Sequence, residues 1–96
     1  MSVGSVQAFR PVGTVAITAS GTSATTPLPP SGDTVLIQNS GSAVAFVRLD
    51  AGPATSADMP VLINGQILLD CPTPVTAWSV IGTGVVYATR GTGTAI

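Results

Sequence analysis

The stretch that most constrains this chain is residues 34–49, TVLIQNSGSAVAFVRL, in which two apolar segments of strand length flank Asn39-Ser40-Gly41-Ser42. Asn and Gly accept positive φ at little cost, so a tight reversal is favourable there. Val, Ile and Phe in the flanks fit a pleated, half-buried surface, and neither flank repeats at the period of a helix. The pattern predicts a β-hairpin at the centre of a small all-β domain. Val35 and Ile37 share one face of its first strand, and Leu36 and Gln38 share the other. On the second strand Ala43, Ala45, Val47 and Leu49 oppose Val44, Phe46 and Arg48. A three-residue turn sets Val35 and Ile37 beside Val47 and Ala45, with Leu36 beside Phe46; changing the turn by one residue exchanges the faces. With either register both faces carry apolar groups. One side is expected against the core and the other under a loop or a neighbouring subunit.

Residues 14–20 alternate cleanly. Val15, Ile17 and Ala19 point one way, while Thr14, Ala16, Thr18 and Ser20 form a hydroxyl-rich outer face. Before them, Gly4, Pro11 and Gly13 break residues 1–13 into an arm with one short strand over 6–9. Residues 21–33 contain Pro27, Pro29 and Pro30, which remove backbone donors and predict a long connector without regular structure. Such a loop is a partner-facing element or a crossover between sheets. A second breaker-rich loop covers residues 50–60. Asn64-Gly65 then predicts a hairpin between 61–63 and 66–69, and Gly82-Thr83-Gly84 another between 75–81 and 85–90. The expected architecture is an antiparallel β-sandwich or jelly roll of about seven or eight strands. Its parts are an arm over 1–13, a domain over 14–90 and a tail over 91–96.

The chemistry available to this fold is sparse. Ninety-six residues are enough for one core without disulfides. Charged residues make up 7% of the chain, against about 25% in an ordinary soluble domain. There is no Lys, His or Glu; the charges are Arg10, Arg48, Arg90, Asp33, Asp50, Asp58 and Asp70. Three scattered arginines and a net charge of -1 make no stripe for phosphates, so no nucleic-acid partner is expected. No apolar run approaches the roughly 18 residues that span a bilayer, so no membrane partner is expected either.

Low charge with many small and apolar residues predicts a surface covered by other subunits; a sheet face solvated by Thr and Ser hydroxyls is the alternative. Without His or Glu, acid–base catalysis has only the four aspartates and Cys71, and the thiol has no imidazole to activate it. All four aspartates stand at loop edges, where capping explains them. Asp50 and Asp58 lack the dense spacing of a calcium loop. The glycine pairs 82/84 and 91/93 precede no helix and no Lys, which fits turns better than a phosphate cradle. No enzyme activity, cofactor or metal is expected. Phe46, Trp78 and Tyr87 are read as core anchors, with a sugar-stacking platform as the alternative.

The segments DTVLIQNSGSAVAFVRLD, ADMPVLINGQILLD and AWSVIGTGVVYATRGTG together resemble small β-sandwich proteins of tailed bacteriophages, found as capsid cement (decoration) proteins and related virion components. The shared pattern is a strand ending in Asn, a Gly-containing turn and an AFVxxD-like strand. A DxPxxxxG segment and a closing GTxxVYxTxG strand follow, so the likeness covers residues 33–93. It implies a non-enzymatic protein, made in the bacterial cytoplasm, that binds the outer surface of a capsid shell. The implied partners are the major capsid protein and other copies of the chain, as a trimer or dimer; a connector or tail component shares the same strand pattern. The candidate contact residues are Phe9 and Arg10 in the arm, Leu28 in the connector, and Leu36, Val44 and Phe46 in the two-faced hairpin. Arg48 and Arg90 join them at strand ends, where each can meet Asp50, Asp70 or a neighbour's carboxylate.

Overall fold

In a computed structural model that describes residues 8–72 and 74–93, the apolar alternations become eight strands, with no helix among the described residues. They are β1 (Arg10–Ala19), β2 (Ala24–Pro27), β3 (Thr34–Asn39), β4 (Ala45–Arg48), β5 (Met59–Val61), β6 (Gln66–Asp70), β7 (Ala77–Ile81) and β8 (Gly84–Thr92). One sheet has the order β1-β8-β3-β6 and the other β2-β7-β4-β5, all pairs antiparallel. Partners are nested: first with last, second with second-to-last, and so inward to β4 with β5. A ribbon paired in this way and rolled so that alternate pairs fall in opposite layers is a jelly roll.

The nesting corrects the expected hairpins. β3 and β4 do not pair: β3 lies between β8 and β6, while β4 lies between β7 and β5 in the opposite sheet. The same holds across Asn64-Gly65, where β5 and β6 part to different sheets, and across residues 82–83, where β7 and β8 part. Each predicted turn is present, but it is an arch that carries the chain across the sandwich. At an arch the apolar faces of the two strands meet through the core and not side by side. That is why Val35, Ile37, Ala45 and Val47 are all buried together.

Asn39 fixes the first arch. Its side chain is buried; Nδ2 donates to the Ala43 and Val61 carbonyls at 2.8 and 3.0 Å, and Oδ1 accepts from the Gly41 amide at 2.8 Å. The arch then packs backbone to backbone on the β7–β8 arch: a Cβ at Gly41 would overlap the Thr83 carbonyl oxygen, and one at Gly84, where φ is +83°, would overlap Gly41. No side chain fits between the two corners. At the second arch Asn64 takes the left-handed conformation (φ 56°) and the Gly65 amide donates to the Leu62 carbonyl at 2.8 Å.

Boundaries also move: β5, expected over 61–63, is Met59–Val61, so Met59 and Pro60 leave the loop expected over 50–60 and pair with β4. The expected connector over 21–33 contains β2, which pairs with β7 at the edge of its sheet; Pro27 is its last residue, where a missing donor costs least. At the ends, β1 takes in residues 10–13, with a register shift between Pro11 and Gly13, and β8 runs on to Thr92. Residues 1–7 of the expected arm, with half of the short strand over 6–9, and residues 94–96 of the expected tail lie outside the described residues.

The core comprises Ile17, Val35, Ile37, Val47, Val61, Trp78, Val80, Val86 and Ala88, with Cys71 at one end. Val15, Ile17 and Ala19 face it and Thr14, Ala16 and Thr18 face out, as their alternation predicts. On the outer faces hydroxyls pair across strands, Thr14 with Thr89 at 2.8 Å and Thr25 with Ser79 at 2.9 Å. Polar groups are thus satisfied there without charge.

Candidate functional site

The eight candidate contact residues do not converge. Leu28 is buried in the core, and its amide donates to the Thr76 carbonyl at 2.8 Å. Leu36 and Phe46, expected side by side, sit half-buried on the outer faces of opposite sheets. Leu36 lies between Thr89 and Leu68, and Phe46 between Ile81 and Pro60. Val44 is half-buried at the entry to β4, and Phe9 is half-buried with its ring against Gly91. Arg10 is exposed at the start of β1, opposite Thr92.

The two strand-end arginines have opposite fates. Arg48 is exposed and its Nε donates to both carboxylate oxygens of Asp50, at 2.7 and 2.8 Å. That bond, with a second from the Gly52 amide, holds the Asp50 carboxyl below its usual range and raises the guanidinium above its own. Arg90, expected at the surface, is fully buried. Its Nε donates to Gly32 O at 3.0 Å, Nη1 to Pro29 O and Val75 O at 3.1 and 2.6 Å, and Nη2 to Cys71 O and Pro72 O at 3.2 and 2.9 Å. One side chain therefore clasps the β2–β3 and β6–β7 connections and closes that end of the sandwich. It satisfies carbonyls in proline-rich loops, where backbone donors are scarce. The legible signal is its position two residues beyond Ala88 and four beyond Val86, on the inward face of β8.

Two of the four aspartates serve local structure. Asp50 binds Arg48 and the Gly52 amide, and Asp58 accepts from the Thr55 amide at 2.8 Å. Among the described residues no three His, Cys, Asp or Glu side chains gather as a metal site would require. Cys71 is buried and free, and desolvation pushes its thiol pKa up. The three large aromatics also separate. Trp78 is in the core, Phe46 is on one outer face and Tyr87, 39% exposed, is on the other, so they form no common platform.

Two surface features lie outside the eight candidates. At the β5–β6 arch Leu62 and Ile63 are 64 and 50% exposed, and Met59, at the far end of edge strand β5, is 43% exposed. β5 ends at Val61, so Leu62 and Ile63 lie in the turn that leads to Asn64-Gly65 and not in a strand. Two shallow depressions adjoin the same arch and share Gly65 and Gln66. One, of about 240 Å³, lies against Pro60, Leu62 and Ile67; the other, of about 280 Å³, lies among Gln38, Ser40, Asn64, Gln66 and Tyr87. Compared with family models, curated proteins and solved structures, the chain matches none.

Proposed function

We infer that this jelly roll is a non-enzymatic virion protein that cements the outer surface of an assembled phage shell. The observation that carries this is the β5–β6 arch: the consecutive apolar residues Leu62 and Ile63 are both exposed on a chain whose charged residues are only 7% of the total. Apolar side chains clustered on a corner mark a surface that a partner covers. Pro60 removes a donor from the adjoining edge strand, so contact there runs through side chains and not through an added strand. The resemblance of residues 33–93 to capsid cement proteins names the partner as the major capsid protein, with copies of this chain as neighbours. A protein that binds the closed lattice and not its free subunits stabilises the lattice by mass action.

The experiment is a heat-release assay on particles stripped of the protein and then refilled. Wild-type protein is expected to bind and restore heat resistance, and the double variant Leu62→Asp, Ile63→Asp to fold but not to bind. Stripped particles as heat-resistant as intact ones, or full rescue by the double variant, would overturn the assignment. Density confined to the portal or tail would replace it with a connector role.

A further inference from the structure

The outer face of the β1-β8-β3-β6 sheet carries a polar row that the shell-binding role does not use. Ala16, Tyr87, Gln38 and Gln66 stand opposite one another across all four strands. Tyr87 is the exposed aromatic of this face, and its partner on β1 is the small, exposed Ala16. On its other side Gln38 Nε2 donates to Gln66 Oε1 at 3.3 Å. That single bond leaves an acceptor on Gln38 and donors on Gln66 at an exposed surface, where each amide is held by its neighbour. The arches supply a rim, with Ser40 on one and Asn64 on the next, and the shallow depression between them measures about 280 Å³. From Tyr87 to Gln66 is two inter-strand steps, roughly 9–10 Å.

We propose that this row is a binding site for a neutral hexopyranose, with the sugar's C–H face on the Tyr87 ring and its hydroxyls on the Gln38–Gln66 amide pair. An exposed ring flanked by paired amides matches a ligand with one apolar face and a fringe of groups that both donate and accept. Charge excludes the main competitors. Every residue around the depression is uncharged at neutral pH, and a charged ligand would give up hydration without an opposing group. A nucleotide finds no cation for its phosphate: Arg10 lies six positions from Ala16 along β1, roughly 20 Å away, Arg48 is on the opposite sheet and Arg90 is buried. The site adjoins the Leu62–Ile63 turn through Asn64 and Gly65, but its sugar-binding side chains are other residues.

The test uses the full chain, isotopically labelled, titrated by NMR with D-glucose, D-galactose, D-mannose and N-acetyl-D-glucosamine up to tens of millimolar, a weak-binding range. At least one sugar is expected to give saturable shifts in the Gln38 and Gln66 side-chain amides and in Tyr87. Tyr87→Ala and Gln66→Ala are each expected to weaken that binding about tenfold or more. Both positions are exposed, and an unchanged amide spectrum elsewhere certifies the fold. No saturable shift with any of the four sugars, shifts located on other elements, or undiminished binding by Tyr87→Ala would overturn the proposal. These outcomes are read on the isolated chain and are independent of whether it binds a shell.

Discussion

Asn39 and Val61 stand 22 positions apart in strands of opposite sheets, and the Asn39 side-chain amide donates to the Val61 carbonyl at 3.0 Å. One buried side chain thereby ties the β3–β4 arch to the end of β5. Replacing it with Ala removes three hydrogen bonds and strands a buried carbonyl, at a cost of about 2–4 kcal/mol. Asn39→Asp is expected to be worse at neutral pH, because a carboxylate cannot donate to the Ala43 and Val61 carbonyls. Protonation returns one donor, so urea midpoints of Asn39→Asp should approach those of the parent as pH falls, unlike those of Asn39→Ala.

Arg90 spans five carbonyls with five donated bonds, a geometry that the three donors of Lys cannot reproduce. Arg90→Lys is expected to cost about 2–3 kcal/mol, and Arg90→Met about 4 kcal/mol or more. Against a total stability of about 5–15 kcal/mol, the second change brings the domain close to unfolding at room temperature. Urea denaturation followed by Trp78 fluorescence gives both values. If Met were tolerated as well as Lys, the carbonyls would have to be satisfied by water.

Trp78 is fully buried, and among the described residues its indole N–H has no acceptor. Its contribution should therefore come almost wholly from the packed ring. Trp78→Phe, which also deletes the unpaired donor, is expected to cost under about 2 kcal/mol, against about 3–5 kcal/mol for Trp78→Ala. Far-ultraviolet circular dichroism reads both variants. Equal losses would mean that the indole N–H is bonded after all.

Burial raises the Cys71 thiol pKa in the folded state, with a smaller opposing pull from Arg90. A thiol pKa raised by folding contributes stability that is complete below the unfolded value, about 8.5, and is lost as pH rises beyond it toward the folded value. Denaturation midpoints should fall on the alkaline side, and less so in Cys71→Ala. A thiol reagent should label the native protein only as fast as this end of the sandwich opens, and labelling should accelerate in Arg90→Lys.

Most strand positions were legible because the alternation of residues 14–20 and the short apolar segments at 34–39 and 85–90 survive whatever the strands pair with. Pairing was not. Asn-Gly and Gly-Thr-Gly report a tolerance for positive φ, and that tolerance serves an arch as well as a hairpin. The two apolar faces of residues 34–49 did carry topological information. Val35, Ile37, Ala45 and Val47 meet across one core, while Leu36 and Phe46 end on opposite outer faces. The charge of Arg90 points to the surface and its place on the inward face of β8 to the core; only its five carbonyl partners make burial tolerable. The polar row was hidden for another reason. Ala16, Gln38, Gln66 and Tyr87 come from four segments that only the register brings together.

The nested pairing also has a temporal side. β8, the last of the eight strands to leave the ribosome, occupies an interior place between β1 and β3. Until it arrives, β1 has no neighbour in its sheet and β3 has only β6. The Thr14–Thr89 hydroxyl contact closes over 75 positions, a separation whose entropy cost must be met before the contact can repay it. Loop-closure entropy therefore favours assembly that begins at the innermost pair, β4 with β5, and ends at the outermost. A ribosome stalled before residue 84 would hold a chain with the inner face of one whole sheet open to solvent.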